Sequence, residues 1–428
     1  MLHNALPGFR DFYPAEFSVR SHITDTWRGV ARRYGFEEYD GPPLESLELF
    51  TEKSGEEIVG QLYNFVDKGG RAVTLRPEMT PTLARMVAAR AGGLRKPVRW
   101  FAVPQLFRYE RTQRGRLREH FQWNVDILGE EDIAADAEVL AVAIDGLRAL
   151  GLGAADVVAR YSDRRLLEVL VRGAGVPAER LLATFGAIDK LTREPPDRIR
   201  QKLVENAGLA PGVADAVLRV FEPADAAALR AAYGADAAVA SALDRLDAYA
   251  ARLADLGLGD FIAFDLRIVR GLAYYTGTVF EIFDRKGELR AVCGGGRYDN
   301  LLENVGAVAM PGVGFGMGDV VLGELLADRG LLPDTSPRVD YYLVAVTEAE
   351  RPTLLRVARA LRERGASVLY ALKLGGVGKQ FKDADARGAR QVLVFGPAEL
   401  AAGEVVQRTM GSGEERRVKL SEWLDANP

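Results

Sequence analysis

One cysteine and three histidines in 428 residues are the scarcest chemical resources of this chain. A lone Cys293 excludes an internal disulfide and a thiolate zinc cluster. His3, His22 and His120 are too few and too scattered to argue for a multi-histidine metal site. No stretch approaches the roughly 18 apolar residues that a membrane span needs. The first residues, MLHNALPGFRDFYP, lack the apolar core of a signal peptide, so a cytoplasmic location without a membrane partner is expected. Neither sign of charge dominates: 56 basic against 60 acidic residues leave a net charge of −4. That balance gives no global signal for nucleic acid, but binding depends on local patches and not on the sum. Chemistry in this chain must rest on arginine, carboxylates and backbone dipoles, with no dedicated metal cage and magnesium at most as an accompanying ion.

The length sets a prior of two or three domains, and 48% hydrophobic with 27% charged residues is the composition of a globular protein. Ile23, Trp27, Val30, Ala31 and Tyr34 recur at helical spacing, with Gly35 placed to end the helix and Gly41-Pro42-Pro43 unable to continue it. From 151 to 260 the composition becomes alanine- and leucine-rich with helical patterning, and Pro195-Pro196 and Pro211 mark breaks. Residues 331–338 read as a linker. Beyond it, strand runs at Tyr341–Val346, Val368–Ala371 and Gln391–Phe395 alternate with helices at Arg351–Arg364 and Lys379–Arg387, which predicts a small α/β domain with a largely parallel sheet over 339–428.

The stretch Phe107–Asp126 carries most information. Its ends read as two strands of alternating apolar side chains, and the loop between them is dense in arginine: Arg108, Arg111, Arg114, Arg116 and Arg118. The guanidinium fork matches phosphate and carboxylate oxygens. Arg108 is expected within the first strand, with Glu110 projecting from the same face, where it could hold an arginine, a metal or an adenine amine. Gln122 and Asp126, four apart on the second strand, share a face. In Gly312–Gly318 glycines alternate with Val313, Phe315 and Met317, which strips one face of a strand bare and suits either tight sheet packing or a flat ligand against the backbone. No P-loop or dinucleotide fingerprint follows a strand and opens a helix.

The arginine hairpin resembles motif 2 of the class II aminoacyl-tRNA synthetases, closest to the histidyl branch. Thr74–Thr80 (TLRPEMT) resembles that family's first amino-acid-binding segment, Arg270–Thr276 (RGLAYYT) its histidine-specific segment, and Gly312–Gly318 its motif 3 strand. The resemblance spans nearly the whole chain. It implies an α+β catalytic domain with an antiparallel sheet, split into 1–150 and 261–330 by a mainly helical insertion at 151–260, and a C-terminal α/β anticodon-binding domain. It implies histidine, ATP with Mg²⁺ and histidine tRNA as substrates, and a homodimer formed through the first long helix and the strand after it. Carried onto this chain, Arg108 and Arg270 are the catalytic arginines. Glu78, Met79, Thr80, Arg108, Gln122, Asp126, Arg270, Tyr274 and Tyr275 bind histidine. Arg108, Glu110, Arg116 and Arg270 bind ATP, and Gln113, Arg114 and Arg116 meet the tRNA acceptor end.

Four departures stand out. Val321 occupies the place where the family's motif 3 helix carries an arginine that stacks on ATP, and valine can neither stack a cation nor pair with phosphate. Ala273 stands where an aspartate is common, Asp126 where glutamate is, and Thr112 where proline is. Two other readings therefore stand beside the ligase: a histidine-binding paralogue that regulates ATP phosphoribosyltransferase, and a tRNA-binding sensor without catalysis.

Overall fold

The structure is a computed structural model that describes residues 4–54, 60–191, 194–270, 275–306 and 308–426. It divides at Pro333/Asp334 into two compact units, and no helix among the described residues is long and apolar enough to cross a membrane.

The first unit is built on a nine-stranded sheet. Its centre runs Val98–Ala102, Glu119–Leu128, Gly312–Gly318, Cys293–Arg297, Thr278–Asp284 and Val157–Asp163, all paired antiparallel. Glu37–Glu38 and Ile262–Phe264 add one parallel strand at each edge, and Gln105–Phe107 pairs with the long strand alone. The expected antiparallel catalytic sheet is present.

The long strand Glu119–Leu128 sorts its side chains by the two-residue period of β structure. Trp123, Val125 and Ile127 face the core. Trp123 stacks on Trp27 of helix Pro14–Arg33, ring centroids 5.9 Å apart, and meets Phe315 of the glycine strand edge-on at 5.1 Å. Helix Ile133–Ala149 lies on the same face, apolar almost all round because it is buried almost all round. A Cβ on its Gly146 would strike the Trp123 ring, so only glycine lets this helix approach the tryptophan. The buried pair Arg297–Asp136, with Nε donating to Oδ2 at 3.0 Å, ties the helix to strand Cys293–Arg297.

The segment 151–260 is mainly helical, with one correction to its start. Val157–Asp163 is a strand of the catalytic sheet, and it is buried on both faces except at Arg160, a pattern without the alternation by which a half-buried strand is recognised. The helices proper run from Arg164–Gly173 to Ala237–Asp255. Pro196 and Pro211 open helices at the first turn, where proline loses no hydrogen bond, and Asp163, Asp225 and Asp236 cap others.

The second unit, Asp334–Pro428, holds a five-stranded sheet ordered Val368–Tyr370, Val339–Ala345, Ala389–Phe395, Glu404–Thr409, Glu415–Lys419. The first three strands are parallel, as expected, and the last two are an antiparallel hairpin that the sequence reading omitted. Glu415–Lys419 (ERRVK) is largely exposed and charged, so it lacks the apolar alternation by which strands are recognised.

Removing the Trp123 ring should leave a cavity between two helices and the sheet. Trp123→Ala is expected to lower unfolding free energy by about 3–5 kcal/mol. A urea titration of the catalytic unit in which the variant matches the parent would sink this account of the core.

Candidate functional site

The face of the long strand opposite Trp123 forms the floor of a cleft of about 470 Å³. His120, Gln122, Asn124 and Asp126 all line it. The glycine strand makes room for them: a Cβ on Gly314 would collide with the Asp126 carboxylate, and one on Gly316 would lie 2.8 Å from the Gln122 amide carbon. The bare face expected of this strand is therefore partly filled by Asp126 and Gln122, with Gly314, Gly316 and Gly318 still among the lining. Gly294 serves the same purpose on the next strand, beneath the Arg270 guanidinium.

Asp126 is almost wholly buried and accepts a short hydrogen bond from the Tyr298 hydroxyl. Burial raises its pKa from 3.8 to about 7, against the lowering effect of that hydrogen bond. His120 goes the other way: burial, with Arg108 and Arg10 nearby, lowers it to about 3, so it is a neutral ring near pH 7. Burial also pushes the Cys293 thiol up, which leaves it protonated and unreactive in the cleft.

Arg108 lies one residue beyond strand Gln105–Phe107, not within it, because pairing with the long strand ends at Phe107↔Glu119. Its Nε donates to the Pro77 carbonyl at 2.9 Å, and its side chain lines the cleft. Glu110 and Arg116 both line the cleft and pair with each other at 2.6 Å, one of the roles open to Glu110 from sequence. Arg270 is also off any strand. It has φ +55°, an uncommon left-handed conformation for a side-chain-bearing residue. Arg164 holds this backbone by donating to the carbonyls of Val269 (3.2 Å) and Arg270 (3.5 Å), and Glu281 pairs with the Arg270 guanidinium at 2.9 Å.

Glu78, Thr80 and Tyr275 line the same cleft. Met79 does not: it is fully buried, its sulfur 3.8 Å from Arg76 Nη1. Gln113 and Arg114 stand exposed on the loop outside the cleft lining, with Arg114 paired to Glu324 (3.3 Å) and Asp328 (3.5 Å). Tyr274 and the departure at Ala273 lie outside the described residues. Val321 lines the cleft and packs at its wall. The sequence reading missed His120, Asn124, Tyr298 and Arg290. The first two follow from the alternation that relates Gln122 to Asp126; the other two lie just outside strand Cys293–Arg297, Arg290 before it and Tyr298 after it, and carry no local signal.

An antiparallel sheet that floors a cleft with carboxylate and amide, ringed by Arg108, Arg116 and Arg270, is the catalytic architecture of a class II aminoacyl-tRNA synthetase. The family described as histidyl-tRNA synthetase matches residues 8–318, and an anticodon binding domain matches residues 340–426. The chain belongs to the histidyl-tRNA synthetase family. It is 44% identical to a histidine–tRNA ligase of Opitutus terrae over 97% of this chain and 95% of that one. It is 39% identical to a chloroplastic/mitochondrial histidine–tRNA ligase of Arabidopsis thaliana, covering 98% and 85%. The solved histidyl-tRNA synthetase of Nostoc sp. PCC 7120 superposes with a TM-score of 0.82 at 25% identity over all of both chains.

Folding holds Asp126 protonated up to about pH 7, whereas the unfolded chain ionises it near 3.8. Its contribution to stability is therefore complete below about pH 4 and is lost as pH rises through about 7. Asp126→Asn stays neutral throughout, so the stability of that variant relative to the parent should climb between those pH values and then level. Chemical denaturation at pH 4, 6 and 8 checks this; a pH-independent difference would show that Asp126 is not held protonated.

Proposed function

We propose that this chain is a histidine–tRNA ligase that makes histidyl-adenylate from histidine and ATP and passes the histidyl group to the 3′ end of histidine tRNA. The observation that carries the reading is the convergence of Arg108, Arg270, Glu78, Gln122, Asp126 and Tyr275 on one cleft. In adenylation the histidine carboxylate attacks the α-phosphorus; the new O–P bond forms as the bond to the bridging oxygen breaks and pyrophosphate leaves. Two anions must meet, so fixed cations between them lower the barrier without any proton transfer. Arg108 and Arg270 take that role, and the pre-set backbone of Arg270 spares reorganisation at the moment of reaction.

The substrate's α-ammonium and imidazole need acceptors, which Glu78, Gln122, Asp126 and Tyr275 offer. Pairing with the ammonium favours ionised Asp126, so histidine binding near neutral pH should release a proton. Glu110 and Arg116 serve ATP, and Gln113, Arg114 and Arg116 face the tRNA acceptor end. Magnesium would arrive on the triphosphate: no cluster of three acidic or histidine ligands exists among the described residues, and an ion held by phosphate and water needs none. The regulator and sensor readings are weaker, given the ligase relatives at 39–44% identity and the matched anticodon domain. The tRNA substrate places the reaction where translation runs, in keeping with a cytoplasmic location.

A homodimer is part of this reading. Exposed Tyr13, Phe17, Phe65 and Val66, at the N-terminal segment and strand Asn64–Val66, support it. Sedimentation should return about twice the 46.7 kDa chain mass; a monomer at micromolar concentration would remove this part.

The main test is ATP–pyrophosphate exchange with histidine, other amino acids serving as controls. Exchange with histidine alone is expected, and Arg270→Ala should slow it about 10²–10³-fold while leaving the fold intact, the scale of losing one preorganised charge-stabilising group. Folded, histidine-binding protein that exchanges nothing would return the balance to the regulator or sensor.

A further inference from the structure

The cleft wall formed by Gly115, Gly318, Val320 and Val321 presents no charge of its own to a nucleotide. ATP carries a polyanionic tail and a polarizable purine, and both favour a guanidinium.

Arg290 lines the cleft beside this wall. It comes from the connection between strands Thr278–Asp284 and Cys293–Arg297, far in sequence from the loop that carries Gly115. A Cβ on Gly115 would lie 3.2 Å from Val321 Cγ2 and 3.8 Å from Arg290 Cδ, so the two side chains flank the same backbone point. The Gly115 position itself is set: φ is +70°, and its amide donates to Glu324 Oε1 at 3.0 Å. An arginine stem packed along apolar surface, with its head towards polar solvent or ligand, is a stable arrangement for this side chain.

We infer that Arg290 is a nucleotide-binding residue and supplies, from the strand connection, the cation that Val321 cannot supply from the helix. The inference rests on the proposed ligase reading. It also explains why valine is acceptable at 321: the apolar side chain supports the loop tip and leaves room for the Arg290 stem beside it.

The test uses the full-length chain with Arg290→Ala, Arg290→Met and Arg290→Lys in histidine-dependent exchange, with KM read separately for ATP, pyrophosphate and histidine. The alanine and methionine variants should raise KM for ATP about ten- to a hundredfold, the scale of one charge-assisted hydrogen bond. Lysine should fall between them and the parent, and KM for histidine should stay within about twofold. A parallel rise in KM for pyrophosphate identifies the polyphosphate as the contact; a rise for ATP alone identifies the purine. The methionine variant keeps the stem, so it reads charge even where alanine disturbs packing. An exchanging parent whose three variants keep the parental KM for ATP overturns this inference alone. A parent that exchanges with no amino acid overturns it together with the ligase reading.

Discussion

Strand Glu119–Leu128 divides the catalytic unit into a dry side and a chemical side, and most of the unit depends on that division. Every second side chain, Trp123 above all, is held by helices Pro14–Arg33 and Ile133–Ala149. The intervening ones, His120, Gln122, Asn124 and Asp126, enter the cleft. A one-residue slip in register would exchange the two sets, burying a carboxylate and amides among the helices and exposing two aromatic rings. The packing of Trp123 between Trp27 and Phe315 therefore fixes the position of Asp126 as firmly as any contact Asp126 makes itself.

The glycines of strand Gly312–Gly318 complete this constraint. Their absent side chains are matched to bulk arriving from neighbouring strands, Asp126 against Gly314 and Gln122 against Gly316. Burial at that seam favours protonated Asp126 below about pH 7, which limits the cost of holding a carboxyl group there. The same economy operates at Arg270, where Gly294 clears the space and Arg164 holds the backbone carbonyls.

Much of the site was legible in the sequence because its pieces are local. Alternation on the long strand related Gln122 to Asp126, and the arginine density of the hairpin marked a polyanion site. What was misread is also instructive. Met79 is buried in the core because a helix begins at Thr80 and turns that side chain inward. Arg108 falls off its strand because the ladder ends at Phe107, and Val157–Asp163 joins the sheet although its burial on both faces leaves no strand alternation to read.

The sequence by itself determined which face the residues of the long strand take, that the helical segment breaks at Pro195-Pro196 and Pro211, and which residue types could meet phosphate and carboxylate. Those properties follow from backbone geometry acting over a few residues. Only the tertiary structure decided that Tyr298 bonds Asp126, that Gly314 admits it, and that Arg290 lies beside Val321. Such neighbours are far apart in the chain and are brought together by sheet register, which no local pattern encodes.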